Sequence, residues 1–195
     1  MSLHSDPFSR PVDVKSLLTA QCGTAEGWET ESDDGPGPRS DSDESDGDDG
    51  VPAAECQATG NKCFKDGKLD LALLWYARAL AALVKQADVD LSAVGAVLCN
   101  RSAALVKLGR HDAACADAAQ AVELQPDQVK PHYRHACALR ALGRHDAAVA
   151  ACDKGLALAP GHAQLNEVRR ACRAALAVAD GGAATTDEAG AAPAA

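Results

Sequence analysis

From residue 53 onward, apolar side chains return every three or four positions, the spacing of one face of an α-helix. Leu69, Ala72, Tyr76 and Ala79 form one such stripe; Leu165, Val168, Cys172, Ala175 and Leu176 form another. Gly67, Gly109 and Gly143 each stand between two stripes, and Pro126 and Pro160 each follow an apolar stretch, where a helix stops. The pattern predicts helices near 53–65, 68–85, 92–107, 111–124, 128–141, 145–158 and 163–178, and an all-α fold. Pro131 falls in the first turn of its helix, where no intrahelical N–H bond is lost.

The stripes repeat one another. Leu108-Gly109-Arg110-His111-Asp112-Ala113-Ala114 recurs letter for letter as Leu142-Gly143-Arg144-His145-Asp146-Ala147-Ala148, 34 residues on, and Pro126 and Pro160 keep the same offset. Gly60 to Gly67, followed by Leu69, Ala72, Tyr76 and Ala79, makes a third copy upstream. Between Gly67 and Gly109 the offset is 42, so eight extra residues lie there. A longer second helix, or a loop such as Gln86-Ala87-Asp88-Val89-Asp90, accommodates them.

A helix-turn-helix unit with a period of 34 resembles the tetratricopeptide repeat (TPR) family. The likeness covers about residues 53–178. It implies a solenoid of three repeats, about 53–86, 95–128 and 129–162, closed by a capping helix at 163–178. That last helix sets its apolar stripe against Glu167, Arg169, Arg170 and Arg173, as the end of an open stack requires.

Charge is distributed unevenly. Residues 1–55 hold 14 acidic against three basic side chains, whereas residues 56–179 hold 16 basic against 11 acidic. The stretch 29–50, dense in Asp, Glu, Ser and Gly, has too little apolar surface to offset ordering. Residues 1–52 are therefore expected to be a disordered acidic region, and 179–195 a disordered Ala/Gly-rich tail. Ser40 and Ser45 each have Asp three residues on, a pattern read by acidophilic kinases. The acidic arm is either a solubilising tail or a competitor for a basic groove. Val12 to Leu18 reads as tail or as a short docking helix.

No apolar run is long enough to span a membrane, and the first residues lack the regions of a signal peptide. Eight cysteines stand at 22, 56, 63, 99, 115, 137, 152 and 172 with no Cys-x-x-Cys. They are expected to be reduced packing residues in a cytoplasmic protein. Acidic tails and the lack of interleaved aromatic and basic residues argue against nucleic acid.

Enzymatic chemistry finds no foothold. There is no phosphate-cradling Gly loop, no His-Glu-x-x-His and no nucleophile elbow. His132 and His135 are three apart on one helix, but no third ligand has metal-site spacing. His111 and His145 read as packing residues. No catalytic residue, metal or cofactor is expected.

The resemblance is closest to the TPR domains of Hsp90 and Hsp70 co-chaperones. These hold the Glu-Glu-Val-Asp tail of the chaperone in a two-carboxylate clamp on the concave face. The clamp uses a Lys and an Asn four apart in the first helix, an Asn in the third, and a Lys and an Arg four apart in the fifth. Asn61, Asn100, Lys130 and Arg134 stand at four of these positions, and Lys107 at a further basic groove position. Gln57 stands where the family has Lys. Lys130 and Arg134, at i and i+4, share a helix face and can converge on one anion through charge-assisted bonds.

The expected function is thus an adaptor, without enzymatic activity, that holds an Hsp90 or Hsp70 C-terminal tail and links it to a second, unidentified protein. A monomer is expected. The competing expectation is a TPR scaffold that binds another peptide or helix in a transport, import or ciliary assembly.

Overall fold

In a computed structural model of the chain, residues 50–182 are described. They form seven helices and no strand: α1 (Ala53–Lys65), α2 (Leu69–Val84), α3 (Leu91–Lys107), α4 (His111–Leu124), α5 (Val129–Ala141), α6 (His145–Leu158) and α7 (Ala163–Gly182). The acidic stretch, Cys22, the Val12 to Leu18 segment and the two serines lie outside the described residues.

Each helix packs on the next, and α1, α3, α5 and α7 also pack along one row, α1 on α3, α3 on α5 and α5 on α7. The result is a right-through stack of helical hairpins, with the odd-numbered helices side by side. It is the expected solenoid of three repeats with a closing helix.

One turn motif builds all three hairpins. Gly67, Gly109 and Gly143 take φ values of 77°, 76° and 73°, where a side chain would be strained. In each, the residue after the glycine donates back five positions: Lys68 N to Cys63 O, Arg110 N to Leu105 O and Arg144 N to Leu139 O, at 2.9–3.0 Å. The glycine itself donates to Phe64 O, Val106 O or Arg140 O. This is a Schellman cap, and it satisfies carbonyls that a helix end would otherwise leave unpaired.

The eight extra residues between the first two turns are shared among three places. α2 has 16 residues against 14 in α4 and α6; α3 has 17 against 13 in α5. The remaining two lengthen the α2–α3 loop, 85–90, relative to the four-residue connection 125–128. Half of the excess thus extends α3 at its start. There the Asp90 carboxylate accepts from Ser92 N at 2.9 Å and Ala93 N at 3.1 Å, a side-chain N-cap.

The core interleaves small and large apolar residues. Ala72, Ala79, Ala114, Ala118, Ala136 and Ala148 are fully enclosed beside Tyr76, Leu80, Val94, Leu98 and Leu165. Gly155 shows how close the backbones come: a Cβ there would lie 2.7 Å from Leu165 Cδ1. Burying a leucine such as Leu165 contributes about 1.5–3 kcal/mol. α7 runs four residues past the predicted end at 178, through Ala179-Asp180-Gly181-Gly182, even though glycine is a poor helix former.

Arg101 on α3 and Asp117 on α4 make a bidentate pair inside the second repeat. Nε and one terminal nitrogen each donate to a carboxylate oxygen at 2.7 Å. The Asp117 side chain is 4% exposed, so the guanidinium is what makes its charge tolerable there.

Candidate functional site

Three residues named from the sequence meet on the row of odd-numbered helices. Asn61 lies on α1, Asn100 on α3 and Lys130 on α5. Lys130 Nζ donates to Asn100 Oδ1 at 3.0 Å. Asn100 Nδ2 donates to Asn61 Oδ1, also at 3.0 Å. The Tyr76 hydroxyl, from α2, donates to the same Asn61 oxygen at 2.9 Å. A single hydrogen-bonded chain therefore runs across three repeats.

Packing holds the Tyr76 end of this chain. Tyr76 is 1% exposed and lies against Gly60, where an added Cβ would stand 2.7 Å from the ring. Burial pushes the hydroxyl up to about 12, with Cys63 adding to the rise and the Arg134 charge opposing it. The group is a neutral O–H donor throughout the physiological range. Cys99, beside Asn100 in sequence, is also raised, by burial first, while Lys130 and Arg134 pull the other way. Both cations therefore bear on the same region of the row.

The other sequence-named residues do not join the chain. Arg134 sits one turn beyond Lys130, with its guanidinium carbon 5.5 Å from the Tyr133 ring centroid. Its Nε is buried with no hydrogen-bond partner. Lys107, at the end of α3, places Nζ 4.3 Å over the Phe64 ring of α1, a cation–π contact. Gln57 is half-buried on α1, one turn before Asn61, and makes no hydrogen bond among the described residues.

The row thus presents cations from α3 and α5 and uncharged amides from α1 and α3. Such a set suits an oxygen-rich anion: amides donate without adding charge, and Lys and Arg donate charge-assisted bonds. Two participants were not legible as site residues in the sequence. Tyr76 read only as a packing residue; a buried tyrosine hydroxyl needs a partner, and that requirement is the available signal. Phe64 carries no such signal.

His111 and His145 each keep a buried Nδ1 without a hydrogen-bond partner, whereas His132 is held by the backbone. His132 Nε2 donates to Pro126 O at 2.8 Å. Among the described residues no group of His, Cys, Asp and Glu could hold a metal ion. The seven described cysteines form no disulfide. Among the described residues no helix is long and apolar enough to cross a membrane. A cleft of about 560 Å³ lies away from the amide row, along α7, lined by Asn166, Glu167, Arg169, Arg170 and Arg173. Its Arg169 and Arg173 face Asp153 at 3.0 and 3.9 Å, as an end cap would.

The family model for the tetratricopeptide repeat matches residues 96–128 and 129–162. Residues 96–162 thus match two tetratricopeptide repeats, and the helical region as a whole has a TPR-like solenoid fold. Its relatives are more particular. The first TPR of Spaghetti (RPAP3), bound to the HSP90 peptide SRMEEVD, is 28% identical with a TM-score of 0.57, covering 64% of this chain and 93% of that one. The second TPR domain of human RPAP3, in complex with the HSP70 peptide SGPTIEEVD, is 26% identical with a TM-score of 0.55, covering 62% and 94%. The human mitochondrial import receptor subunit TOM70 is 38% identical over 79 residues, 40% of this chain. The chain spans only 12% of that receptor's length.

Proposed function

We propose that this TPR adaptor binds the C-terminal tail of an Hsp90 or Hsp70 chaperone along the row formed by Asn61, Asn100, Lys130 and Arg134. The observation that carries the reading is the Lys130–Asn100–Asn61 chain. It brings polar groups of three repeats side by side, and their free N–H groups suit the two carboxylates of a terminal Asp. The relatives solved with tails ending in EEVD support it. Lys107 and Gln57 flank the row as further contacts. The adaptor links the chaperone to a second protein, and seven described cysteines outside any disulfide suit a reducing compartment such as the cytoplasm.

Titration of the full chain with a Met-Glu-Glu-Val-Asp peptide tests this reading. Lys130→Ala and Arg134→Ala are each expected to weaken binding about tenfold or more, the loss of a charge-assisted bond. Binding unaffected by either variant would refute it. The match to an import receptor subunit favours a second reading, a scaffold in a protein-import assembly whose groove takes a different peptide or helix. That reading gains if the wild-type chain ignores the peptide.

A further inference from the structure

The direction of every bond in the Lys130–Asn100–Asn61 chain is set from one end. An ammonium group can only donate. The atom of Asn100 that faces Lys130 is therefore Oδ1, and the atom that faces Asn61 is Nδ2. Asn61 must in turn present its oxygen, and Tyr76, which shares that oxygen, must donate to it. Both lone-pair directions of Asn61 Oδ1 are then used. Its Nδ2 has no partner among the described residues and is not among the buried unsatisfied atoms.

We propose that Tyr76 is a positioning residue for the groove: by donating to Asn61 Oδ1 from the core, it locks the Asn61 amide with its NH2 group free, and so makes the Asn61 end of the row donor-only and favours carboxylate over carboxamide there. The inference rests on the groove reading proposed above. Without the Tyr76 hydroxyl, Asn61 Oδ1 keeps one bond, from Asn100, and the amide rotates about its terminal torsion, whose wells are broad. With it, two donors from two different helices hold the group. Gly60 completes the device, because only a residue without Cβ lets the Tyr76 ring lie beside α1 at this level.

The chemistry that follows is one of acceptors. Asn61 offers N–H, Asn100 its second N–H, Lys130 its two remaining protons, and Arg134 its guanidinium. At the Asn61 end no amide oxygen is left to receive a donor, since Asn61 Oδ1 already accepts from Tyr76 and Asn100; Asn100 Oδ1 keeps one lone pair, beside the Lys130 ammonium. A ligand ending in a carboxylate finds only partners at Asn61. A ligand ending in a carboxamide brings an NH2 group that meets donors there, and leaving such a group unpaired is costly.

Tyr76→Phe keeps the ring that packs on Gly60 and removes only the hydroxyl. In the full chain it is expected to bind free-acid Met-Glu-Glu-Val-Asp about fivefold more weakly, the effect of one neutral hydrogen bond. The preference for the free acid over the C-terminally amidated peptide should shrink by the same factor. In an Asn61→Ala background, Tyr76→Phe should have no further effect, because the tyrosine acts through that amide. The side-chain NH2 resonances of Asn61 should shift in the ligand-free variant, a change that lost packing elsewhere would not produce. Asn61→Asp, which leaves Tyr76 and its packing untouched, keeps the oxygens and removes the donor, and should bind the free acid more weakly still. Wild-type affinity in Tyr76→Phe overturns the positioning role, as does an equal loss with and without Asn61. A wild-type chain that binds neither peptide overturns the groove reading itself, and this inference with it.

Discussion

Asn100 and Asn61 are 39 residues apart in sequence, yet the amide nitrogen of one lies 3.0 Å from the amide oxygen of the other. The contact joins α3 to α1, and Lys130 extends it to α5. A row of side chains on successive first helices is what a stack of helical hairpins can offer along one face. Its reach depends on the packing beneath, and each of the following expectations tests one part of that support.

Gly60→Ala sets a methyl 2.7–2.8 Å from the Tyr76 ring and 3.3 Å from Trp75 Cβ. Overpacking of a filled core costs about 1–3 kcal/mol. Urea unfolding should show a loss in that range, and the displaced ring should also disturb Asn61. A midpoint equal to wild type would mean that α1 and α2 separate at little cost.

Asp117→Ala leaves Arg101 without its bidentate partner inside the second repeat. Removing one member of a buried pair destabilises by about 3–5 kcal/mol. The Arg101 side chain is 15% exposed and can reach some water, so the lower end of the range is expected. Chemical denaturation measures it, and a change below about 1 kcal/mol would show that the pair is replaceable by solvent.

His135 is held below the usual histidine range by burial first, then by His132, Lys154 and Arg144. The unfolded chain therefore takes up this proton at a higher pH than the folded one. Stability from this group is complete above the unfolded value of about 6.5 and declines as pH falls through the folded value. Thermal melts between pH 7 and pH 5 should show a decline that His135→Gln reduces. Identical pH profiles for the two proteins would contradict the assignment.

Gln57→Lys restores a cation one turn before Asn61. One added charge-assisted bond, about 1.5–3 kcal/mol, should tighten binding of a free-acid Glu-Glu-Val-Asp peptide by about tenfold or more. The gain should fall at high salt, because the added charge is partly exposed. A gain that persists unchanged in high salt would mean that the lysine acts by packing rather than by charge.

Much of this architecture is visible in the letters, for physical reasons. Gly109 and Gly143 recur because only glycine takes the left-handed φ without strain, and a Schellman cap needs it there. Counting from them places Asn61, Asn100 and Lys130 on consecutive odd-numbered helices, but at different distances before the turn glycines, so their chain runs diagonally across the row. The rest depends on contacts between unlike positions, which periodicity does not encode. Tyr76 supplies both packing and a hydrogen bond, yet its letter suits packing alone. Lys107 meets Phe64, and Arg101 meets Asp117, across distances in sequence that follow no single period. The eight extra residues could have entered a helix or a loop; α2, α3 and their connection each take a share, with Asp90 fixing where α3 starts.

The central claim is recognition of a terminal carboxylate, and amidation of the ligand tests it most directly. Calorimetric titration of the full chain should show saturable binding of Met-Glu-Glu-Val-Asp with a free C-terminus. The amidated peptide should bind at least about tenfold more weakly, since it loses the charge that Lys130 and Arg134 would meet. Equal binding of the two peptides, or none of either, would contradict the account.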